Sequence, residues 1–157
     1  MLSNAAVWEP SIATVDISEA VLDFRVAPQP HASRIVRDRV SRFALENGVG
    51  DDDLAHFLIA LGEALANAIE HARADNPVRI EVRVGCDRIL ATVQDSGIGF
   101  PADDVIAKAQ FPGSDSERGR GLPIMRSCCE IFALKTEPGK GTAVILGRYL
   151  KARETVA

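Results

Sequence analysis

The sequence predicts a two-layer α/β sandwich, a mixed, mostly antiparallel sheet with helices on one face. Three observations predict it. Val78, Ile80, Val82 and Val84 alternate without a break against Arg79, Glu81 and Arg83, and a turn at Gly85-Cys86-Asp87 leads into a return strand, Arg88 to Asp95. Strict alternation is the pattern of a strand with one wet face. Helical patterns stand on both sides of this hairpin, two before it and one after. A second strand pair, Ile131 to Glu137 and Thr142 to Tyr149, closes the chain around Pro138-Gly139-Lys140-Gly141. Half-wet hairpins bury their apolar face against something, and the helices are there to cover it.

The elements follow in order. Residues 1–19 lack periodicity and contain Pro10, so they are expected to form an arm, with the domain at 20–150 and a tail at 151–157. Val21 to Ala27 is a short strand ended by Pro28 and Pro30. His31 to Asn47 places Ile35, Val36, Val40, Phe43 and Ala44 at helical spacing, and Asn47-Gly48 stops it. Asp51, Asp52 and Asp53 open a second helix with acids at its positive end, and it is expected to reach about Ala74, before Asn76-Pro77. Leu54, Leu58, Leu61, Leu65 and Ile69 fall in one stripe of this helix, with Glu63, Asn67, Glu70 and His71 on the other side. Ala60, Ala64, Ala66 and Ala68 lie between, where a surface helix would carry long charged residues; small side chains leave room for something to approach the backbone. Residues 96–121 hold seven Gly or Pro, which predicts a long loop, and long ordered loops in compact domains usually serve function. A helix from about Leu122 to Glu130 precedes the last strand pair.

Composition sets the outer bounds. At 157 residues, 46% of them hydrophobic and 25% charged, the chain has one domain's length and core, which excludes a disordered chain. No run approaches the ~18 apolar residues of a membrane span, and the N-terminus has no basic start followed by an apolar run, so neither a transmembrane helix nor a secretory leader is expected. Eighteen Lys and Arg against 22 Asp and Glu leave a net charge of −4, which argues against a general nucleic-acid binder. Three Cys, two of them adjacent at 128 and 129, read as reduced thiols in a cytoplasm, one of the adjacent pair buried and the other not. Their spacing fits no metal site.

Three segments carry chemistry: Glu63-Ala-Leu-Ala-Asn67, Asp95-Ser-Gly-Ile-Gly-Phe100 and Gly119-Arg-Gly121. Asp95 keeps the phase of Ile89, Ala91 and Val93, so if they face the core the carboxylate does too. Such a group is costly unless hydrogen bonds reach it. Alone, it reads as a strand-end Asp in a turn; alternatively it accepts from an amino-bearing ligand such as adenine, with Gly97 and Gly99 letting backbone approach a flat ring. Glu63 and Asn67 are one turn apart on one helix face. Alone they are two exposed polar residues; among alanines they suit a Mg²⁺ ligand (the Asn oxygen) and a proton acceptor (the Glu). Gly119-Arg-Gly121 precedes a helix, where freed backbone N–H groups suit phosphate. No Lys-Ser/Thr follows, so it is not a Walker loop.

The ordered combination resembles the GHKL ATP-binding superfamily of sensor histidine kinases, gyrase and MutL. GEALANAIEHA (62–72) is similar to its N box, DSGIGF (95–100) to its first glycine box and GRGL (119–122) to its second, while GKGT (139–142) stands where the family has its last Gly-Thr. The likeness spans roughly residues 20–150. Within the superfamily the chain is most similar to the anti-sigma-factor serine kinases of the RsbW and SpoIIAB type, which are single domains of this length whose N box begins with a Glu, as Glu63 does here.

The resemblance implies the Bergerat ATP-binding fold and these roles. Asn67 holds Mg²⁺ and so positions ATP, and Glu63 is the catalytic base toward a serine hydroxyl. Asp95 takes the adenine amino group, with Gly97 and Gly99 along the base and Thr142 supporting it. Gly119, Gly121 and Leu122 cap the phosphates, residues 101–118 form a lid, and either Arg118 or Arg120 meets the γ-phosphate. The implied partners are a STAS-domain anti-anti-sigma protein and a sigma factor, with a homodimer and neither nucleic acid nor membrane. Two alternatives stay open: an ATP-gated binding module without phosphoryl transfer, and a detached histidine-kinase-type catalytic domain. His31 stands alone near a helix start and reads as a surface residue, His71 as a structural residue at a helix end; Trp8 pins the arm or serves a partner.

Overall fold

The computed structural model describes residues 5–7, 19–72, 76–97, 121–137 and 139–151. Within them the order is β1 (Ala5–Val7), β2 (Ala20–Val26), α1 (Ala32–Glu46), α2 (Asp51–His71), β3 (Val78–Val84), β4 (Arg88–Asp95), α3 (Gly121–Cys128), β5 (Ile131–Glu137) and β6 (Gly141–Tyr149). The alternating hairpin and β5 have the expected bounds. α2 stops at His71, short of Ala74. The expected arm contributes β1, which pairs with β5 at the edge of the sheet. Trp8, Gly99, Arg118, Gly119, Arg120 and the lid at 101–118 lie outside the described residues.

The six strands form one sheet in the order β1-β5-β6-β4-β3-β2, with helices on one face. Every described pairing is antiparallel, so the expected admixture of parallel pairs is corrected. The connections explain it. Two helices lie between β2 and β3, one out and one back, so the chain re-enters the sheet from the end it left. Among the described residues one helix, α3, lies between β4 and β5; these strands run the same way, but β6 is inserted between them and pairs antiparallel with both.

α1 packs on β2 and β3, α2 on β4 and β6, and α3 on α2 and β5. Val78, Ile80, Val82 and Val84 are buried beneath the helices, as are Ile89, Ala91 and Val93 of β4. The opposite face of β2 and β3 carries ion pairs: Arg79 meets Asp23 at 2.7 Å, and Glu81 accepts from Arg83 at 2.7 Å and from Arg79 at 3.1 Å. Half-exposed pairs of this kind are screened by water and add little to stability. They favour the register more than they hold the fold.

α2 is the spine of the core. Leu54, Leu58, Leu61 and Leu65 are buried as the stripe predicts, and Phe57 joins them. Ala60, Ala64 and Ala68 are buried as well, and of the four alanines only Ala66 is exposed. The space beside this row is therefore closed by protein. At ~100° per residue the buried arc spans about 160°, wide enough for the sheet below and a helix on the flank.

Two further expectations are corrected. Cys128 and Cys129 are both buried, and α3 ends at Cys128, so Cys129 lies just past the helix. Burial pushes the Cys129 thiol up to about 12, leaving it protonated. Asp53 does more than face the helix dipole. It is buried, and its carboxylate takes a 3.0 Å hydrogen bond from Arg148 and a 3.2 Å one from the Lys151 amide. Burial alone would raise its pKa; these donors outweigh that and hold it below the ordinary carboxylate value.

Leu61 is 1% exposed and Ile59 on the same helix 48%. Leu61→Ala is expected to cost about 2–5 kcal/mol in urea unfolding, and Ile59→Ala no more than about 0.5 kcal/mol.

Candidate functional site

The site is built where α2 ends against the ends of two central strands. β4 runs in phase to Asp95, which points to the helix side like Ile89, Ala91 and Val93, and is 7% exposed. Its cross-strand partner is Thr142, the second residue of β6. Asp95 Oδ1 accepts a 2.8 Å hydrogen bond from the Gly97 amide, the turn geometry expected of an Asp at a strand end. Burial raises the Asp95 pKa; the Gly97 amide, the charge of His71 and the Thr142 amide pull it back only in part. The carboxylate is thus held dry with acceptor capacity beyond its backbone partners.

Two glycines make that placement possible. A Cβ on Gly97 would run into the His71 carbonyl and crowd Asp95 Oδ1. Gly141 has φ +113°, and a Cβ there would run into the Asp95 carbonyl. Backbone therefore closes on Asp95 from both neighbours, α2's last turn and the start of β6.

The contact with His71 orients the rest of α2. Glu63, Asn67 and His71 are spaced by four residues, so they form one row down the helix, with ~6 Å of rise between successive members. All three are half-buried, on the margin of the buried arc. The row ends at Gly97. The structure thus places Glu63 and Asn67 on a track that leads to Asp95, and it brings together Asp95, Gly97 and Thr142. Gly121 opens α3, with Leu122 next, on a helix that packs against α2. Gly99, Arg118, Gly119 and Arg120 lie outside the described residues.

Two residues here were not singled out from sequence. Thr136 faces Thr142 across the β5–β6 hairpin, and their hydroxyls share a 3.2 Å bond, both buried. Their positions on either side of a five-residue turn segment were the available signal. His71 was read as a plain helix-end residue; it supplies both the carbonyl that abuts Gly97 and a charge that acts on Asp95. Among the described residues no three His, Cys, Asp or Glu side chains cluster as a metal set. A cavity of about 130 Å³ lined by Glu81, Arg83, Leu90, Thr92 and Ile145 lies on the opposite face of the sheet and shares no residue with this site.

A raised carboxylate pKa means the folded state holds the proton more tightly than the unfolded one, whose value is ~3.9. Stability is then lost as pH rises from the unfolded toward the folded pKa, and stays lost above it. Asp95→Asn keeps an oxygen for the Gly97 amide and removes the charge. It is expected to melt at or above the wild-type temperature at pH 7, with the gain vanishing below pH ~4. Gly97→Ala, in contrast, is expected to cost about 1–3 kcal/mol, read by thermal unfolding, because a backbone carbonyl must move.

The histidine kinase-like ATPase domain family matches residues 26–147 of the chain. Over 141 residues the chain is 30% identical to the serine-protein kinase RsbW of Bacillus velezensis, covering 82% of this chain and 85% of that protein. It is 30% identical over 145 residues to the RsbW of Bacillus licheniformis, covering 86% and 88%. It is 28% identical over 125 residues to the anti-sigma F factor of Geobacillus stearothermophilus, covering 76% and 86%. The solved structure of the RsbU and RsbW domains of Rv1364c from Mycobacterium tuberculosis is similar in fold, with a TM-score of 0.63 at 20% identity over 85% of this chain and 34% of that longer one. The buried strand-end carboxylate, the helix row beside it and these likenesses agree, and the chain belongs to the histidine kinase-like ATPase domain family, among its RsbW-type members.

Proposed function

We propose that the chain is an Mg-ATP-dependent protein serine kinase that also acts as an anti-sigma factor, phosphorylating a STAS-type anti-anti-sigma partner and sequestering a sigma factor. The observation that carries it is the row Glu63–Asn67–His71, ending at Gly97, whose amide donates to the buried Asp95. The names of the relatives, serine-protein kinase and anti-sigma factor, point the same way.

Each residue has a task in this reading. Asp95 accepts from the adenine amino group, with Gly97 and Gly99 along the base. The Thr142 hydroxyl, already tied to Thr136, supports the base directly or through water. Asn67 contributes its side-chain oxygen to Mg²⁺, an ion that takes few protein ligands and keeps waters and phosphate oxygens for the rest. Gly119, Gly121 and Leu122, with the start of α3, cap the phosphates, and Arg118 or Arg120 meets the γ-phosphate. Mg²⁺ supplies charge neutralisation on the phosphates.

Glu63 stands about 6 Å further along α2 than Asn67. From there it accepts the proton of a partner serine as the serine oxygen bonds to the γ-phosphorus. The bond from that phosphorus to the bridging oxygen breaks, and ADP leaves. Positioning and charge neutralisation do most of the work in such transfers. The protein works in the cytoplasm as a homodimer, without nucleic acid or membrane as partner; no described helix is long and apolar enough to cross a membrane.

Purified protein with labelled ATP, Mg²⁺ and a cognate STAS protein is expected to yield acid-stable phosphoserine. Glu63→Gln should lower that rate by about 10²–10⁴-fold while ATP still binds. Asn67→Ala should lose Mg-dependent ATP binding in calorimetry yet unfold within about 0.5 kcal/mol of wild type, since it lies at the margin of the core. ATP binding and partner capture with no phosphate transferred would mean a nucleotide-gated binding module. Acid-labile phosphate on the partner would mean histidine chemistry.

A further inference from the structure

At the other end of the molecule α2, α3 and β6 meet again, and one side chain joins them. Arg148, near the end of β6, donates from Nη1 to the Cys128 carbonyl at 2.6 Å and from Nη2 to Asp53 Oδ1 at 3.0 Å. Cys128 is the last residue of α3 and Asp53 lies in the first turn of α2. The guanidinium thus satisfies an end carbonyl of α3 and lies at the negative end of that helix, while its carboxylate partner sits at the positive end of α2. The Lys151 amide holds the other Asp53 oxygen at 3.2 Å.

We infer that Arg148 is a positioning residue for nucleotide binding: its fork sets the seat of α3 on α2 from behind, and so the placement of the helix start that the Proposed function assigns to phosphate. The three clamped elements are the ones whose opposite ends carry the site, α2 with Asn67 and His71, β6 with Thr142 and α3 with Gly121. α3 has eight residues and is ~12 Å long, so a tilt at Cys128 is felt at Gly121. Stability alone is a weak reason for the arrangement. Asp53 is buried and Arg148 largely so, with side-chain exposures of 6% and 14%, and Arg148 Nε is buried with no hydrogen-bond partner. Replacing a buried ion pair by apolar residues of similar volume is often neutral or stabilising. What an apolar pair cannot reproduce is two directed bonds from one planar group.

This inference rests on the nucleotide reading, and its test separates the two. The double variant Asp53→Leu/Arg148→Met removes both charges and strands neither. It is expected to fold, to bind ADP and ATP at least about fivefold more weakly than wild type by calorimetry, and to bind adenosine unchanged by NMR titration, since only phosphate contacts depend on α3. Arg148→Lys, which keeps the charge but lacks the fork, should show the same split. Unchanged ATP affinity in both variants, or a parallel loss of ATP and adenosine, overturns it. If wild type itself fails to bind ATP, the nucleotide reading falls, and hydrogen exchange at the amides of residues 125–129 decides the clamp: faster exchange in either variant keeps it, unchanged exchange in both removes it.

Discussion

One carboxylate is held dry at the end of a central strand, and the site is organised around it. Asp95 continues the inward phase of β4 past the last apolar residue, so the register that buries Ile89, Ala91 and Val93 also buries an ionisable group. Such a group costs free energy unless donors reach it, and here the donors are backbone amides of its neighbours. The pKa stays raised because burial outweighs those donors.

The geometry around Asp95 follows from the absence of side chains. Gly97 lies against the last turn of α2, and Gly141 against the Asp95 backbone at a φ that other residues rarely adopt. The first contact ties the hairpin end to α2; the second ties it to the start of β6. Because Glu63, Asn67 and His71 repeat every fourth residue of α2, fixing the last turn fixes the end of the row. The clamp at Arg148 works on the same elements from the opposite end, with charge and directed hydrogen bonds in place of close backbone packing. Between these two ends lies a core whose interior is apolar, with α2 across its middle.

Much of this was legible in the residues. The hairpin of β3 and β4 showed in alternation, because one wet face leaves a period of two. The apolar stripe of α2 showed because its sheet-facing residues are large. The pairing of Asp95 with the glycine two residues on, and the spacing of Glu63 and Asn67 by one turn, showed because local chemistry at short spacing survives without a fold. The same reasoning misjudged the alanine row. Ala60, Ala64 and Ala68 looked like an open flank, yet they are covered, since a small residue admits a neighbouring helix as readily as a ligand. It also missed β1, three residues whose strand character comes entirely from the edge they pair with.

By itself the sequence determined the period of the elements from β2 onward and their order among the described residues, and it placed Asp95 at a strand end and Glu63 and Asn67 one turn apart on a helix. These depend on neighbours within a turn or a pleat. Tertiary structure alone decided which groups meet. That β6 enters between β4 and β5 and sets Thr142 opposite Asp95 is a matter of long-range pairing between residues 47 positions apart. That Asp53 of a helix-opening acid triplet is buried while Asp51 and Asp52 are exposed is decided by an arginine 95 residues away. A charge carries no local mark of its distant partner, because the pairing energy exists only once the core has brought the two together and excluded the water between them.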